Sequence, residues 1–562
     1  MTTIDEIYAR IADRPEVFIT LRPRAEVAAE VEESVAAGGP LAGKLLAVKD
    51  NVDVAGLPTT AACPGYAYTP GADAPAVAAL RAAGAVVIGK TNLDQFATGL
   101  VGTRSPYGAV RDSRRPERIS GGSSSGSAVA VALGFADIAI GTDTAGSGRV
   151  PAGLQGIVGV KATLGAISTE GVVPACRSYD VVTIFAPDLS LANRAMAEMA
   201  KAVGPRPFGS ATRLAAPEQP VVVVPAELPE LDEAWRAAFA EAISRAEAAG
   251  LVIKTVDLSP FLAAAKLLYE DALVAERFDA VGEFLSAAGR SADAGLDPTV
   301  TGIIGAASRF GAVDLLRAQR RLAGLRAEAM RQWGDATALM VPTAPAHPAI
   351  AEVAADPVGL NSRMGTYTNF CNLFDLSAIA VPSGVVTERD GGQAQFGVTF
   401  LAGAHEDAVL VDLAARFLGD AGVGASWVES GASWVEGGSA VDLAVFGAHM
   451  RGGPLAHELA DRGARWAGEV VTAPAYRLVA LDTTPPKPGL IRDPESGRSI
   501  RGEVWRLSPA ALGGFLAALP EPMMLGRVEI VDPATDSSRW VVGFGCAADA
   551  GSAGAELDRD RW

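Results

Sequence analysis

The sequence predicts an α/β fold followed by a smaller α+β domain. Segments with helical and strand-like apolar patterns alternate in the first part of the chain. A glycine- and serine-bearing stretch, in which the hexapeptide GASWVE occurs twice, then interrupts the pattern. The length of 562 residues also exceeds what one hydrophobic core usually serves. We therefore expect a large domain over residues 1–423, a linker over 424–440 and a C-terminal domain over 441–562.

The first elements follow from apolar spacing and from helix-start and helix-stop residues. Helices are predicted over Pro23–Ala37, which has proline in its first turn, and over Pro75–Gly84, which ends on glycine. Short apolar runs predict buried strands at Lys44–Asn51 and Ala85–Ile88, and Leu93–Gly99 is predicted to begin another helix. This alternation indicates a sheet with crossover helices.

Later elements are predicted on the same grounds. Two longer amphipathic helices are expected near Asp232–Ala249 and Ala312–Trp333, and strands near Leu339–Pro348 and Leu376–Pro382. The C-terminal domain has strand-like pieces at Ala444–Gly447, Tyr476–Leu481, Arg501–Leu507, Arg527–Val531 and Trp540–Phe544.

Composition and charge exclude several classes of function. Residues are 49% hydrophobic and 20% charged, with no unbroken apolar run of about 18 residues, so we expect a globular chain that does not span a membrane. The N-terminus lacks the pattern of a signal peptide, which predicts a cytoplasmic location. A net charge of -17 argues against nucleic acid as a ligand, and the basic run Arg111–Arg118 is expected to be a solvated loop. The widely spaced cysteines predict buried free thiols and no metal site; they are Cys63, Cys176, Cys371 and Cys546.

One motif is rejected on its context. Gly84–Thr91 fits the phosphate-loop pattern GxxxxGK[ST]. Such a loop needs flexible residues between its glycines, whereas Val86, Val87 and Ile88 are stiff β-branched residues that favour a strand. We therefore expect no nucleotide at this segment.

The segment from Ile119 to Arg149 contains the residues that we expect to carry out the reaction. It is predicted to form a glycine-serine loop, a helix over Ala128–Leu133, a strand over Ala136–Gly141 and a tight loop over Thr142–Gly148. Loops at strand ends are where α/β enzymes place their reactive groups.

A serine nucleophile in these loops needs a base to take its proton. None of the four histidines (His347, His405, His449 and His457) lies in a recognisable triad context, which leaves lysine as the base. Lowering the pKa of a lysine from roughly 10.4 to about 7 costs about 4 to 5 kcal/mol, which burial can impose. Lys49, in the apolar run Leu45–Val48, suits that requirement.

Two motifs together resemble the amidase signature family: Gly121-Gly-Ser-Ser-Ser-Gly-Ser127 and Gly141-Thr-Asp-Thr-Ala-Gly-Ser147. The resemblance implies a large mixed sheet flanked by helices on both faces. It also implies a Ser-Ser-Lys triad in which Ser147 attacks the amide carbonyl, Ser123 relays the proton and Lys49 accepts it. The family holds the residue that matches Ser123 in a cis peptide.

The same resemblance assigns roles to the rest of the second motif. Asp143 and Arg149 are expected to hold the loops rather than to contact substrate. The oxyanion hole is expected to consist of the backbone N–H groups of Thr144, Ala145, Gly146 and Ser147.

Two further features resemble the allophanate hydrolase subfamily: Gly148 after the nucleophile, and the sequence VVPACRSYD at Val172–Asp180. The resemblance implies a small anionic urea-derived substrate, whose carboxylate would be bound by Tyr269 and Arg277. These two residues are eight apart, about 80° around and roughly 12 Å along a single helix, so Arg277 would have to reach back or the helix would have to bend. The alternative is a surface arginine whose apolar stem packs on the protein.

The region Val445–His457 resembles the C-terminal region of the same subfamily, with a fold similar to γ-glutamylcyclotransferase. The resemblance implies that this domain speeds decarboxylation of the N-carboxycarbamate left by the first reaction. His449 is the candidate catalytic residue, His457 the second and Glu503 a weaker third. Ala456 departs from the polar residue common before the second histidine, which puts the role of His457 in doubt.

Other functions stay open at this stage. A broader amidase or a glutaminase subunit of a tRNA amidotransferase would share the triad but would be expected to lack the C-terminal domain. A non-catalytic scaffold would have little reason to keep all three triad residues. We expect no cofactor and, because the family is often dimeric, a homodimer.

Overall fold

The computed structural model describes residues 3–288, 294–388, 390–419, 434–435, 440–532 and 537–562. The chain forms two compact units. The first comprises Met1–Pro207 and Val221–Leu410, and the second comprises Phe208–Pro220 and Val411–Trp562. The second unit is therefore discontinuous along the chain. Apart from residues 434, 435 and 440, the predicted linker lies outside the described residues.

Within the described residues, the first unit contains one mixed sheet of eleven strands, in the order β1-β3-β2-β4-β6-β5-β10-β11-β9-β7-β8. Strand β2 is parallel to β3 and β4, and β7 is parallel to β8 and β9, while the other neighbouring pairs are antiparallel. The strands are β1 Phe18–Leu21, β2 Leu45–Lys49, β3 Val86–Thr91, β4 Ile138–Asp143, β5 Val158–Lys161, β6 Val181–Ala186, β7 Val221–Pro225, β8 Val252–Val256, β9 Ala338–Pro342, β10 Ser377–Thr387 and β11 Gln393–Ala402.

Helices flank this sheet, and several begin at side-chain caps that satisfy free backbone N–H groups. Thr3 and Glu6 form a capping box at the first helix, and Asp188 and Asp297 cap two others. The helices are α1 Ile4–Ala12, α2 Arg24–Ala37, α3 Pro75–Ala82, α4 Ser125–Ala132, α5 Val150–Gln155, α6 Leu189–Met199, α7 Glu233–Ala248, α8 Ser259–Glu270, α9 Ala275–Ala288, α10 Pro298–Ala306, α11 Ala312–Trp333, α12 Ile350–Ala355, α13 Gly359–Met364, α14 Phe370–Leu373 and α15 Asp407–Leu418.

The mixed α/β architecture and most of the predicted elements are confirmed, but the helix expected at Leu93–Gly99 is wrong. Only a short 3₁₀ turn forms at Gln95–Ala97, and Phe96 has a φ of 49°, which an α-helix does not tolerate. The backbone N–H groups explain the difference: Gln95 donates to the Arg104 carbonyl and Phe96 to the Ala61 carbonyl. Bonds to other loops replace the helical ones.

The rejected phosphate loop is a strand, as predicted. Lys90 lies within β3 and is fully buried. Its Nζ is 3.2 Å from Asp50 Oδ1 and also donates to Thr59 Oγ1 and the Pro58 carbonyl. The ammonium is therefore used in a structural ion pair.

The basic run Arg111–Arg118 is not the solvated loop that was expected. The side chains of Arg115 and Arg118 are only 12% and 17% exposed, and both pair with Glu388 and Asp390. Acidic partners from a distant part of the sequence neutralise these cations, which sequence spacing alone does not reveal.

Helix α4 positions the loop that carries Ser123 against the end of β4. All of its residues except the last, Ala132, are buried, and it is built of serine, glycine, alanine and valine. Such small residues permit close approach: a Cβ on Gly126 would lie 2.4 Å from the Val17 carbonyl oxygen, and one on Gly141 of β4 would lie 2.8 Å from Ser124 Oγ. The start of α4 is therefore held directly against the end of β4.

The second unit is rich in β-structure. Among its described residues, five strands form a closed barrel in the order β12-β16-β13-β17-β18, and three form a sheet in the order β15-β14-β19. Strands β13, β15 and β19 were not predicted. The strands are β12 Val441–Val445, β13 Arg465–Thr472, β14 Tyr476–Leu481, β15 Lys487–Arg492, β16 Arg501–Leu507, β17 Met523–Val531, β18 Ser538–Cys546 and β19 Ala555–Leu557, and the helices are α16 Ala456–Ala460, α17 Pro509–Ala517 and α18 Ala548–Ala553.

The segment Phe208–Pro220 belongs to this second unit through backbone hydrogen bonds. Leu214 N–H donates to the Gly463 carbonyl at 2.8 Å, and Ala510 N–H donates to the Ser210 carbonyl at 3.0 Å. A short irregular segment from the middle of the sequence thus belongs to the same unit as Val411–Trp562.

Three of the four cysteines are buried free thiols, as predicted, whereas Cys546 is partly exposed. In the described part of the chain no single helix is long and apolar enough to cross a membrane. The helices Pro298–Arg309 and Ala312–Trp333, which meet at a bend of 102°, are together long and apolar enough by length and composition alone.

Candidate active site

The carboxyl ends of β2 and β4 lie side by side. The strands are parallel with Val48 opposite Ile140, so the last residues of each strand reach the same edge of the sheet. Lys49 ends β2, and its Nζ donates to Thr142 Oγ1 at 2.7 Å. The Lys49 side chain is fully buried.

A continuous line of hydrogen bonds runs from this lysine to the predicted nucleophile. Lys49 Nζ lies 2.8 Å from Ser123 Oγ, and Ser123 Oγ donates to Ser147 Oγ at 2.9 Å. The peptide bond between Gly122 and Ser123 is cis. Ser147 is 2% exposed and Ser123 is fully buried. The structure therefore brings together the three residues that the sequence predicted to act as a unit, within direct proton-transfer distance.

The electrostatic surroundings of Lys49 favour its neutral form. Burial lowers the pKa of Lys49 to about 7, because a charged ammonium is poorly solvated there. The carboxylates of Asp94, Asp143 and Asp180 oppose this shift, and the Arg277 guanidinium adds to it. A substantial fraction of Lys49 is thus uncharged near neutral pH and able to accept a proton.

Asp143 and Arg149 hold the loop that carries Ser147. Both side chains are fully buried, and they form a two-pronged pair with N···O distances of 2.9 Å. Asp143 also accepts the backbone N–H groups of Gly146 and Gly148. Arg149 reaches further, to the Thr368 carbonyl. This network fixes the turn after β4 and does not use the hydroxyls of Ser123 and Ser147.

The same network revises the predicted oxyanion hole. Gly146 N–H donates to Asp143 Oδ1 at 2.9 Å, so this group supports the loop instead of pointing at substrate. Among the hydrogen bonds of the described residues, none uses the N–H groups of Thr144, Ala145 or Ser147. Those three remain the candidate donors.

Tyr269 and Arg277 meet, but not as residues of one helix. Helix α8 ends at Glu270, the chain is extended at Asp271, and α9 begins at Ala275. The break brings Arg277 Nη2 to 3.0 Å from the Tyr269 hydroxyl. Arg277 is 1% exposed, which excludes the alternative of a surface arginine. Its Nη1 donates to Thr98 Oγ1, and its Nε is buried without a hydrogen-bond partner in the described structure.

Asp180 ties the segment Val172–Asp180 to the nucleophile loop. Its carboxylate accepts the hydroxyl of Thr144 at 2.5 Å and the backbone N–H groups of Ala175 and Cys176. Burial raises the pKa of Asp180, and these hydrogen bonds together with Arg277 counter that rise. The segment is thereby fixed beside the line of reactive hydroxyls.

In the second unit, His449 lies in a small pocket at the barrel. Its Nε2 is 3.0 Å from Glu458 Oε2, and its ring stacks on Phe544 at 4.9 Å. Glu503 is 4% exposed rather than solvent-facing, and its carboxylate accepts the Arg451 N–H. Burial lowers the pKa of His449 although Glu458 opposes the shift. His457 contributes only a repulsive charge to His449.

Comparison with known proteins places these observations in a family. Residues 9–411 match the model of the amidase family, and residues 441–558 match that of the allophanate hydrolase C-terminal domain. The chain belongs to the amidase family. That assignment makes it an amidohydrolase.

Similar proteins share both parts of this amidase. It is 43% identical over 530 residues to urea amidolyase from Lachancea kluyveri and 40% identical over 550 residues to that from Saccharomyces cerevisiae. These alignments cover 90% and 92% of this chain but only 28% and 29% of the relatives. The chain thus spans less than a third of their length. The solved structure of Kluyveromyces lactis allophanate hydrolase, 36% identical, superposes with a TM-score of 0.83 over 99% of this chain and 95% of that one.

Sequence reasoning missed several residues that support the site of this amidase. Thr142 was inside a quoted motif, but nothing marked its hydroxyl as a partner of Lys49. Thr98, the partner of Arg277, lies in the segment that was wrongly predicted as a helix. Asn372 bonds to both Arg149 and the Asp143 carbonyl from more than 200 residues away, and no local pattern indicates it.

Proposed function

We propose that this amidase hydrolyses allophanate (urea-1-carboxylate) to ammonia and carbon dioxide. The observation that carries the proposal is the buried series of hydrogen bonds from Lys49 through Ser123 to Ser147. The buried guanidinium of Arg277 lies close enough to Lys49 for the two cations to interact. Support also comes from the similarity to urea amidolyases and to an allophanate hydrolase over both parts of the chain.

The first reaction follows from the geometry of the three residues. Ser147 Oγ attacks the terminal amide carbon while its proton passes to Ser123, whose own proton passes to Lys49 Nζ. The negative oxygen of the tetrahedral intermediate would accept hydrogen bonds from backbone N–H groups of the nucleophile loop, each worth about 3 to 4 kcal/mol. Lys49 returns the proton through Ser123 to the leaving nitrogen, and ammonia departs. Water then repeats the sequence and releases N-carboxycarbamate.

The substrate assignment rests on charge. Allophanate carries one carboxylate on a small flat skeleton, so its pocket needs a cation and hydrogen-bond donors. Arg277 supplies a guanidinium that lacks a carboxylate within 4.0 Å in the described structure, and the Tyr269 hydroxyl lies beside it. Burying a cation without a counter-charge is costly, and a substrate carboxylate would relieve that cost.

The second reaction is assigned to the C-terminal domain, which we propose promotes breakdown of N-carboxycarbamate. His449 is the candidate to deliver a proton to the nitrogen. The ring must be protonated to do so, and its contact with Glu458 favours the protonated form against the effect of burial.

The deciding experiment measures ammonia release with allophanate, biuret, malonamate and glutamine. We expect rapid release from allophanate and a loss on the order of 10⁴-fold or more with Ser147→Ala. Ser244→Ala, at an exposed position of α7, is the matched control and should match the wild type.

Each other result has a definite meaning. Activity confined to glutamine or to apolar amides would favour a glutaminase or a broader amidase and would overturn the substrate assignment. Release from allophanate that survives Ser147→Ala would overturn the mechanism. We further propose that the enzyme is a cytoplasmic homodimer that binds neither nucleic acid nor membrane and needs no cofactor.

A further inference from the structure

The pocket that contains His449 has a second polar side chain. Its lining includes Gly447, Ala448 and His449 from the loop after β12, Lys487 and Pro488 from β15, and Phe544 from β18. Lys487 is the single lysine of residues 441–562. It is also the one lysine or arginine among the described residues that line the pocket.

Lys487 is a buried cation without a counter-charge in the described structure. It is 7% exposed, and no Asp or Glu side chain among the described residues lies within 4.0 Å of its ammonium. Glu458 and Glu503 are engaged elsewhere: Glu458 bonds to His449, and Glu503 accepts the Arg451 N–H. An ammonium that lines a pocket and has no carboxylate partner is available to the carboxylate of a ligand.

The backbone of the pocket adds hydrogen-bond donors. In the hydrogen bonds formed by the described residues, the N–H groups of Gly447, Ala448 and His449 take no part. Successive backbone N–H groups in a turn form a concave site for anions. Gly447 is required for this shape, because a Cβ there would lie 2.4 Å from Pro488 Cδ.

We infer that Lys487 binds one carboxylate of a small dicarboxylate in this pocket, and that it is the substrate anchor of the second reaction. The inference rests on the proposed function, in which N-carboxycarbamate is the dicarboxylate. The carboxylate held by Lys487 is the one that the product keeps. The other carboxylate lies towards His449.

The chemistry balances with these groups. The bond between nitrogen and one carboxyl carbon breaks, its electron pair remains on nitrogen, and carbon dioxide leaves. The nitrogen takes one proton, for which His449 is the donor, so carbamate remains. Carbamate then takes up a further proton and separates into ammonia and a second carbon dioxide. Lys487 takes no part in bond breaking; it holds the dianion so that only one end can leave.

Binding of malonate, a stable dicarboxylate of similar size, tests the anchor directly. Calorimetry on the full chain carrying Arg277→Met, which removes the other candidate carboxylate site, should give one site per chain. Adding Lys487→Met should weaken binding at least about tenfold, whereas Lys487→Arg should retain most of it. Lys254→Met, at an exposed position of β8, is the matched control.

Ammonia release provides a second readout. With allophanate, the interval between the first and second ammonia should lengthen at least about tenfold in Lys487→Met relative to the wild type. The inference would be overturned if adding Lys487→Met left the malonate affinity of Arg277→Met unchanged and Lys487→Met alone left the interval at its wild-type length. Failure of the wild type to release any ammonia from allophanate would instead overturn the proposed function, and malonate binding alone would then decide whether Lys487 is an anion anchor.

Discussion

The state of charge of Lys49 is decided by opposing effects within a few ångströms. Burial disfavours the ammonium, three carboxylates favour it, and Arg277 disfavours it again. Two hydroxyls contact Nζ: Ser123, which must give up a proton, and Thr142, which cannot pass one to the nucleophile. Thr142 is therefore positioned to tune the base rather than to take part in proton relay.

Activity should rise with pH through about 7, because Lys49 accepts a proton only when neutral and its pKa is about 7. Thr142→Val removes an acceptor that stabilises the ammonium, so the pKa of Lys49 should fall and the rising limb of kcat/KM should move to lower pH. Thr387→Val, at an exposed position of β10, is the control. If the rising limb of kcat/KM in Thr142→Val lies at the same pH as in the wild type, the proposed effect of Thr142 on the pKa of Lys49 is contradicted.

Removing the charge of Arg277 should have two separate effects. Arg277→Met deletes a cation that lowers the pKa of Lys49, so the rising limb should move to higher pH. It also deletes the proposed carboxylate partner, so KM for allophanate should rise at least about tenfold. Arg277→Lys should restore part of the Lys49 pKa shift and part of the affinity for allophanate. Arg309 is exposed, so Arg309→Met should change neither the pH of the rising limb nor KM. Steady-state kinetics over pH measure both effects; a pH shift without a KM change would exclude substrate binding by Arg277.

The Asp143–Arg149 pair should be important for stability as well as for loop position. Asp143→Asn leaves a fully buried guanidinium without its charge partner, which should lower the free energy of unfolding by about 3 to 5 kcal/mol. Asp5→Asn, in an exposed pair with Arg24, should give no measurable change. Chemical denaturation of both variants tests the comparison, and equal stability would contradict the role assigned to Asp143.

At the scale of elements, the contact between α4 and β4 sets the distance from Ser123 to Thr142 and hence to Lys49. Gly141→Ala would place a Cβ 2.6 Å from Phe185 Cε2 and 2.8 Å from Ser124 Oγ, forcing the two elements apart. We expect kcat to fall at least about 100-fold, since small displacements of catalytic groups have large effects. Gly302→Ala in α10, with no atom within 4 Å, should be neutral. Equal activities in the two variants would show that the spacing is not critical.

Elements with a strong local signal could be predicted from the sequence. The helix Ala312–Trp333 and the strands Tyr476–Leu481 and Arg501–Leu507 have the predicted bounds, because their apolar spacing and end residues are determined locally. The segments carrying the Ser-Ser-Lys residues were also predicted, because Lys49 lies in an apolar run and the two serine-bearing loops flank a recognisable helix and strand, with a composition that resembles the amidase signature family.

Elements that depend on distant partners could not be predicted. The break at Asp271 is one example: its side chain accepts the Ala272 N–H and pairs with Arg321 of α11. A continuous helical pattern across Lys266–Ala280 does not reveal that contact. The order of the eleven strands likewise depends on tertiary contacts.

For the whole molecule, the proposed homodimer makes a direct prediction. Light scattering coupled to size exclusion should give twice the chain mass of 57.5 kDa over a range of concentrations. Because a net charge of -17 makes copies repel at low ionic strength, the measurement should be repeated at several salt concentrations. A single-chain mass in every buffer would exclude the dimer.

The segment Phe208–Pro220 has a consequence for synthesis on the ribosome. Leu214 pairs with Gly463, which is 249 residues further along the chain. At 5 to 20 residues per second, roughly 12 to 50 s pass between the appearance of these two partners. The second unit therefore cannot complete its folding until Gly463 and the strands that follow it have been made. Until then, the apolar side chains of that segment are without their final neighbours and are the ones we expect a chaperone to shield.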